Sequence, residues 1–101
     1  MKLFSCFGEL FVQYKRIRED RLYCAVQLIG TSSEASKYKC DFTLRAANGI
    51  EQISNTFLVR GYSEDFQTIF NSRKCFNLDE GTVKIFVVDE KLNLSVILST
   101  V

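Results

Sequence analysis

The stretch from Cys24 to Gly49, CAVQLIGTSSEASKYKCDFTLRAANG, decides the fold. In its second half Tyr38, Cys40, Phe42, Leu44 and Ala46 alternate with Lys37, Lys39, Asp41, Thr43 and Arg45. Successive side chains of a strand point to opposite faces, so this period of two predicts one face in a core and the other in water. Asn48-Gly49 follows, a pair that accepts positive φ and predicts a type I′ hairpin turn. Beyond it, IEQISNTFLV places Ile53, Phe57 and Val59 on one face of the returning strand.

Working outward, ELFVQYKRI and RLYCAVQLI are two more apolar runs joined by the charged REDR, and they predict an antiparallel pair. Leu22, Cys24, Val26 and Leu28 face inward in that reading. Tyr23, Ala25 and Ile29 make the second run apolar on its other face too, which predicts a strand inside a sandwich, away from any edge. GTSSEASK predicts a turn or one helical turn capped by a serine.

From Tyr62 the period changes. Tyr62, Phe66, Ile69 and Phe70 share one helical face, Ser63 is placed to cap it, and Glu64 and Asp65 suit the first turn. Near the end, LNLSVILS alternates as a strand does. TVKIFVVD is ambiguous, and its β-branched residues favour a strand by propensity. No repeat, low-complexity segment, linker or transmembrane run is visible.

The composition narrows the function classes. With 101 residues, 47% of them hydrophobic, the chain is one domain with a core of modest size. Thirteen basic and 12 acidic side chains leave a net charge of +1, so no global field favours nucleic acid, an anionic membrane or an acidic substrate. Lys2 before a short apolar run resembles the start of a signal peptide, but Gly8 and Glu9 end the run too soon, and LFSC lacks the apolar segment of a lipoprotein site. The chain reads as soluble and not exported.

Four cysteines, Cys6, Cys24, Cys40 and Cys75, are scattered without a CxxC pair, and there is no histidine. Neither a zinc site nor a thiolate activated by histidine can be assembled from these, so no metal and no cofactor are expected. Apolar neighbours make the cysteines buried thiols rather than a disulfide framework. The carboxylate pairs Glu64-Asp65, Asp79-Glu80 and Asp89-Glu90 fall in predicted turns and caps, where acids serve solvation and helix ends. YKRIRED joins an aromatic to Lys15, Arg16 and Arg18, as single-stranded nucleic-acid sites do, but Glu19 and Asp20 offset it at a hairpin end, where a solvated loop is expected. These residues describe an antiparallel β domain without catalytic equipment, for which an interaction module is the default.

SCFG at Ser5–Gly8, AVQLIGT at Ala25–Thr31 after a strand and loop, the NG hairpin, and FNSRKCFNLD at Phe70–Asp79 together resemble the C-terminal domain of the seven in absentia (Siah-type) ubiquitin ligases. The resemblance runs from about Ser5 to the end of the chain. It implies a mainly β, antiparallel TRAF-like β-sandwich with one or two short helices, which in that family dimerises and binds substrates or adaptors. It also implies that the sandwich here is incomplete: the family's domain begins earlier, so strands before Met1 are expected to be missing. In the family, a RING domain that recruits the ubiquitin-conjugating enzyme and zinc fingers come before the sandwich. Neither is in this chain, so no ligase activity of its own is expected.

Family substrate peptides lie along early strands, beside a tryptophan that this chain does not contain. Met1, Lys2, Leu3 and Phe4 correspond to the tail of that groove strand and are the candidate peptide contacts. The resemblance further implies a short helix or turn at Thr82–Phe86 and a closing strand at Leu92–Ser99, and it weakens the case for a helix from Tyr62 to Phe70. Expected partners are a second copy, a complete Siah-type domain, or adaptor and substrate proteins, in a cytoplasmic and partly nuclear setting and in ubiquitin-dependent protein degradation. No nucleic acid and no membrane are expected. The alternatives are a degenerate fragment without activity and a small β-barrel that binds single-stranded nucleic acid.

Overall fold

The computed structural model describes residues 1–101. Its strands are β1 (Lys2–Cys6), β2 (Glu9–Arg18), β3 (Arg21–Leu28), β4 (Tyr38–Arg45), β5 (Gln52–Leu58), β6 (Arg60–Gly61), β7 (Phe76–Asp79), β8 (Val87–Val88) and β9 (Lys91–Thr100). Three short helices interrupt them: α1 (Ser32–Ala35), α2 (Phe66–Ser72) and α3 (Glu80–Phe86). One sheet runs β1-β2-β3-β6, with β7 also on β3, and the other runs β5-β4-β9-β8. All pairings are antiparallel except the two-residue ladder of β3 with β6.

The sheets face each other across the core that the alternation predicted. Leu22, Cys24, Val26 and Leu28 of β3 meet Cys40, Phe42 and Leu44 of β4, joined by Phe11, Val59, Phe76 and Phe86. Phe42 and Phe76 stack across the sheets with ring centroids 5.5 Å apart. The outer face of β3 is also apolar because α2 covers it: Tyr23, Ala25, Ile69, Phe70 and Cys75 form a second cluster. Thus β3 is interior on both faces, as its sequence requires.

Local details correct several expectations. Three helices form, where one or two were expected. Thr31, not a serine, caps α1, accepting from the Glu34 backbone N–H at 3.1 Å. The second helix begins at Phe66, capped by Asp65 rather than Ser63, and Tyr62 lies outside it and is exposed. Ser63 lies three residues before the helix, and the Asp65 carboxylate reaches the Gln67 N–H at 3.1 Å. The helix nonetheless exists, with Ile69 and Phe70 buried.

Asn48-Gly49 does not make a two-residue type I′ turn. The loop spans residues 46–51, closed by Ala46 N–H to Glu51 O, and Asn48 Oδ1 accepts from the Ile50 and Glu51 N–H groups. That Asx geometry lengthens the turn, and only Gly49 takes positive φ, at 69°. The tight turns occur elsewhere. Phe7-Gly8, Glu19-Asp20 and Asp89-Glu90 each join two strands with both residues at positive φ, between 51° and 73°. The helix α3 at Glu80–Phe86 agrees with the family resemblance over β propensity, and β9 brackets the closing strand expected at Leu92–Ser99.

Candidate functional site

Burial decays from one side of the sandwich to the other. On β3 and β4 every inward residue from Leu22 to Leu28 and from Cys40 to Leu44 is buried. One strand further out the rows are only half covered. On β2 the inward row reads Phe11, Gln13, Lys15 and Ile17, opposite Leu28, Val26, Cys24 and Leu22. Phe11 is buried, Gln13 is intermediate, Lys15 is exposed and Ile17 is 77% exposed. On β9 the inward Leu92, Leu94, Val96 and Leu98 are all partly buried.

This open side carries two free strand edges. β1 is terminal in its sheet and pairs only with β2. β9 pairs with β8 only at Leu92 and Lys91, so from Asn93 to Thr100 its sole partner is β4. Between the two edges lies a cleft of about 390 Å³ lined by Met1, Lys2, Gln13, Lys15, Leu94 and Val96. Free strand edges present unpaired N–H and C=O groups that hydrogen-bond readily to another chain. The far edge of the second sheet is β5, whose inward Ile53 and Phe57 are partly buried against the same core.

The structure separates the four candidate peptide contacts. Met1 and Lys2 line the cleft, Leu3 points to the outer face and is 57% exposed, and Phe4 points inward and stacks on Phe11 at 5.5 Å. Gln13, Leu94 and Val96 were not singled out as site residues by sequence, and Lys15 was singled out only within the basic YKRIRED cluster. Lys15 and Gln13 stand in register with the inward Phe11, and that period-two relation is the signal that could have found them.

YKRIRED ends a strand at Arg18 and turns at Glu19-Asp20, with residues 15–20 all exposed, so the cluster is solvated as expected but the loop is confined to two residues. The strand also splits the basic cluster. Lys15 faces the cleft, while Arg16 faces outward and lies 5.8 Å over the Phe66 ring, itself 4.0 Å from the Tyr14 ring. Arg18 pairs with Glu19 at 3.9 Å. The cations therefore do not share one surface, as a groove for a nucleic-acid backbone requires.

The groups suited to chemistry are occupied structurally. All four cysteines are free thiols, and three are buried. Burial pushes the Cys24 and Cys40 thiols up to about 12 and the Cys75 thiol up to about 11, away from reactive thiolates. No three histidine, cysteine or carboxylate side chains converge as a metal site does. Asp65 and Asp79 cap helices. The side-chain hydrogen bond from Thr82 Oγ1 at 2.6 Å, with that from its backbone N–H at 3.1 Å, holds the Asp79 carboxyl below the ordinary carboxylate value. Asp89-Glu90 is a hairpin turn. No helix is long and apolar enough to cross a membrane.

Comparison with curated proteins finds no match. A family model described as the Sina, TRAF-like domain matches residues 4–97, from inside β1 to inside β9, and so takes in both sheets and the cores between and outside them. With most of its length matched and the mainly β, two-sheet architecture in place, the chain belongs to the Sina, TRAF-like domain family.

Proposed function

We propose that this domain is a protein-interaction module that receives a partner segment at its open side, acting through partners in ubiquitin-dependent protein degradation. One observation carries the reading: two free backbone edges, β1 and Asn93–Thr100 of β9, flank one cleft whose apolar rows are half covered. A partner strand that pairs with either edge satisfies its N–H and C=O groups and covers Phe4, Leu94 and Val96 together, which is the physics of β-strand addition. Membership of the Sina, TRAF-like family supports protein partners, among them a second copy, a complete Siah-type domain, an adaptor or a substrate.

Sedimentation velocity of the purified chain, alone and mixed with a complete Siah-type C-terminal domain, tests the reading. A discrete dimer or a mixed species is the expected result. A well-folded monomer that forms no mixed species contradicts it, and a heterogeneous profile without cooperative unfolding favours a degenerate fragment instead.

A further inference from the structure

Splitting the basic cluster between two faces leaves three arginines together on the outer one. Leu22 and Cys24 of β3 point into the core, so Arg21 points outward, and Arg16 and Arg18, opposite Tyr23 and Arg21, share its face. Arg18 and Arg21 are direct cross-strand partners, with Cβ atoms about 5 Å apart in such a pair. Arg16 is two residues along β2 from Arg18, about 7 Å. Like charges directly opposite each other on a sheet are destabilising.

The chain's own carboxylates leave much of this charge uncompensated. Glu19 reaches Arg18 only at 3.9 Å, between side chains 41% and 79% exposed. Asp79 stands opposite Arg21 on β7, but both of its oxygens are taken up by Thr82, Oδ1 by the hydroxyl and Oδ2 by the backbone N–H. Arg16 has no carboxylate partner and lies over the Phe66 ring, which orients its guanidinium. Arg21 donates from Nη2 to Asn77 Oδ1 at 2.9 Å. Arg16 and Arg21 are thus each oriented by an uncharged group, and Arg18 is the neighbour of both.

An anion that meets all three arginines needs more than one charge and several acceptor oxygens. Guanidinium forks match phosphate oxygens in this way. A nucleic-acid backbone needs a longer row of cations, and the next one along, Lys15, is on the other face. We propose that Arg16, Arg18 and Arg21 form a binding site for a phosphate monoester dianion, carried by a phosphorylated serine or threonine of a partner. The site lies on the outer face of β2 and β3, not on either free edge, so it stands or falls independently of strand addition.

The test uses a blocked, fluorescently labelled heptapeptide, Gly-Thr-Gly-phosphoserine-Gly-Thr-Gly, and versions with aspartate or serine in place of phosphoserine, measured by anisotropy against the full chain at low salt. The phosphopeptide is expected to bind about tenfold tighter than the serine peptide, the size of three partly exposed ion pairs, with the aspartate peptide between them. The margin should shrink at about 0.5 M salt. It should also shrink below about pH 6, where the phosphate becomes a monoanion. Arg18→Glu, at an exposed position, should abolish the preference, and Lys37→Glu, the same charge change at an exposed position outside the cluster, should not.

Equal binding of all three peptides, binding of none, or a preference that survives Arg18→Glu overturns the proposal. Displacement of the phosphopeptide by an equal concentration of inorganic phosphate keeps the dianion site and overturns its protein source. Displacement by oligothymidylate at the same phosphate concentration would mean that the arginines serve a diester backbone, and the proposal would be wrong.

Discussion

Replacing Gly61 by alanine should destabilise this domain severely although the residue sits at the end of a two-residue strand. A Cβ at this position would lie 2.6 Å from the Ser32 N, 2.8 Å from the Thr31 carbonyl carbon and 2.9 Å from Ser32 Cα, all backbone atoms that no rotamer change can move away. The close approach is pinned from the other side. Gly61 is in parallel register with Leu28, the Tyr62 N–H bonds to Leu28 O at 2.8 Å, and the buried Gln27 amide donates to Gly61 O and Glu64 O at 3.0 Å each. Overpacking alone costs about 1–3 kcal/mol, and displacing the Gln27 amide adds about 1 kcal/mol for each buried hydrogen bond weakened. A loss of about 3 kcal/mol follows, or roughly 12–24 °C in Tm for a domain of this size. Urea unfolding followed by far-UV circular dichroism measures it. Gly49→Ala is the control, since its Cβ meets nothing within 4 Å and only its positive φ is strained, at a cost of about 1 kcal/mol. A Gly61→Ala change below about 0.5 kcal/mol, with Gly49→Ala the larger, would refute the packing argument.

Other expectations follow from the core and its thiols. Phe42→Ala removes a fully buried ring that stacks across the sheets and should cost about 3–5 kcal/mol by denaturant unfolding. In native protein at pH 8, a thiol reagent should modify Cys6 rapidly and Cys24, Cys40 and Cys75 only as fast as the chain unfolds, with all four reacting in denaturant. Those three thiols keep their protons in the folded state to about 11–12, against an ordinary value of 9.0, so the unfolded chain loses protons first. Stability should therefore be unaffected by them below pH 9 and fall as pH rises from there towards 12, a decline that cysteine-to-serine variants at these positions would not share. Arg16→Ala should loosen the outer aromatic contact and lower stability by about 1 kcal/mol or less, and the effect should persist at high salt because the ring contact is only partly a charge effect.

Strands whose two faces differ were legible in the sequence. β4 alternates without a break because β5 and β9 flank it and one face is water, and β3 shows apolar residues on both faces because α2 covers the second. The helix caps were misplaced by one or two residues, since Thr31 and Ser32, or Ser63 and Asp65, are chemically equivalent until the backbone direction is known. The turn at Asn48 escaped for a related reason. Its side chain bonds two backbone N–H groups of its own loop, which competes with the tight turn that its dipeptide favours. The cleft was illegible because it depends on two sheets ending together. Lys15 between Tyr14 and Arg16 reads as a solvated charge, and only the register of Phe11, Gln13 and Lys15 against β3 turns it inward.

The central claim is that partners dock at the open side between β1 and β9. Hydrogen exchange of the backbone amides, measured with the chain alone and with a complete Siah-type C-terminal domain, tests it most directly. Slowed exchange confined to alternate amides of Lys2–Cys6 or Asn93–Thr100 is the predicted result, because an added strand pairs every second residue of an edge. Protection at β5 or on the outer sheet faces, with both of these edges unchanged in a complex that does form, would contradict it.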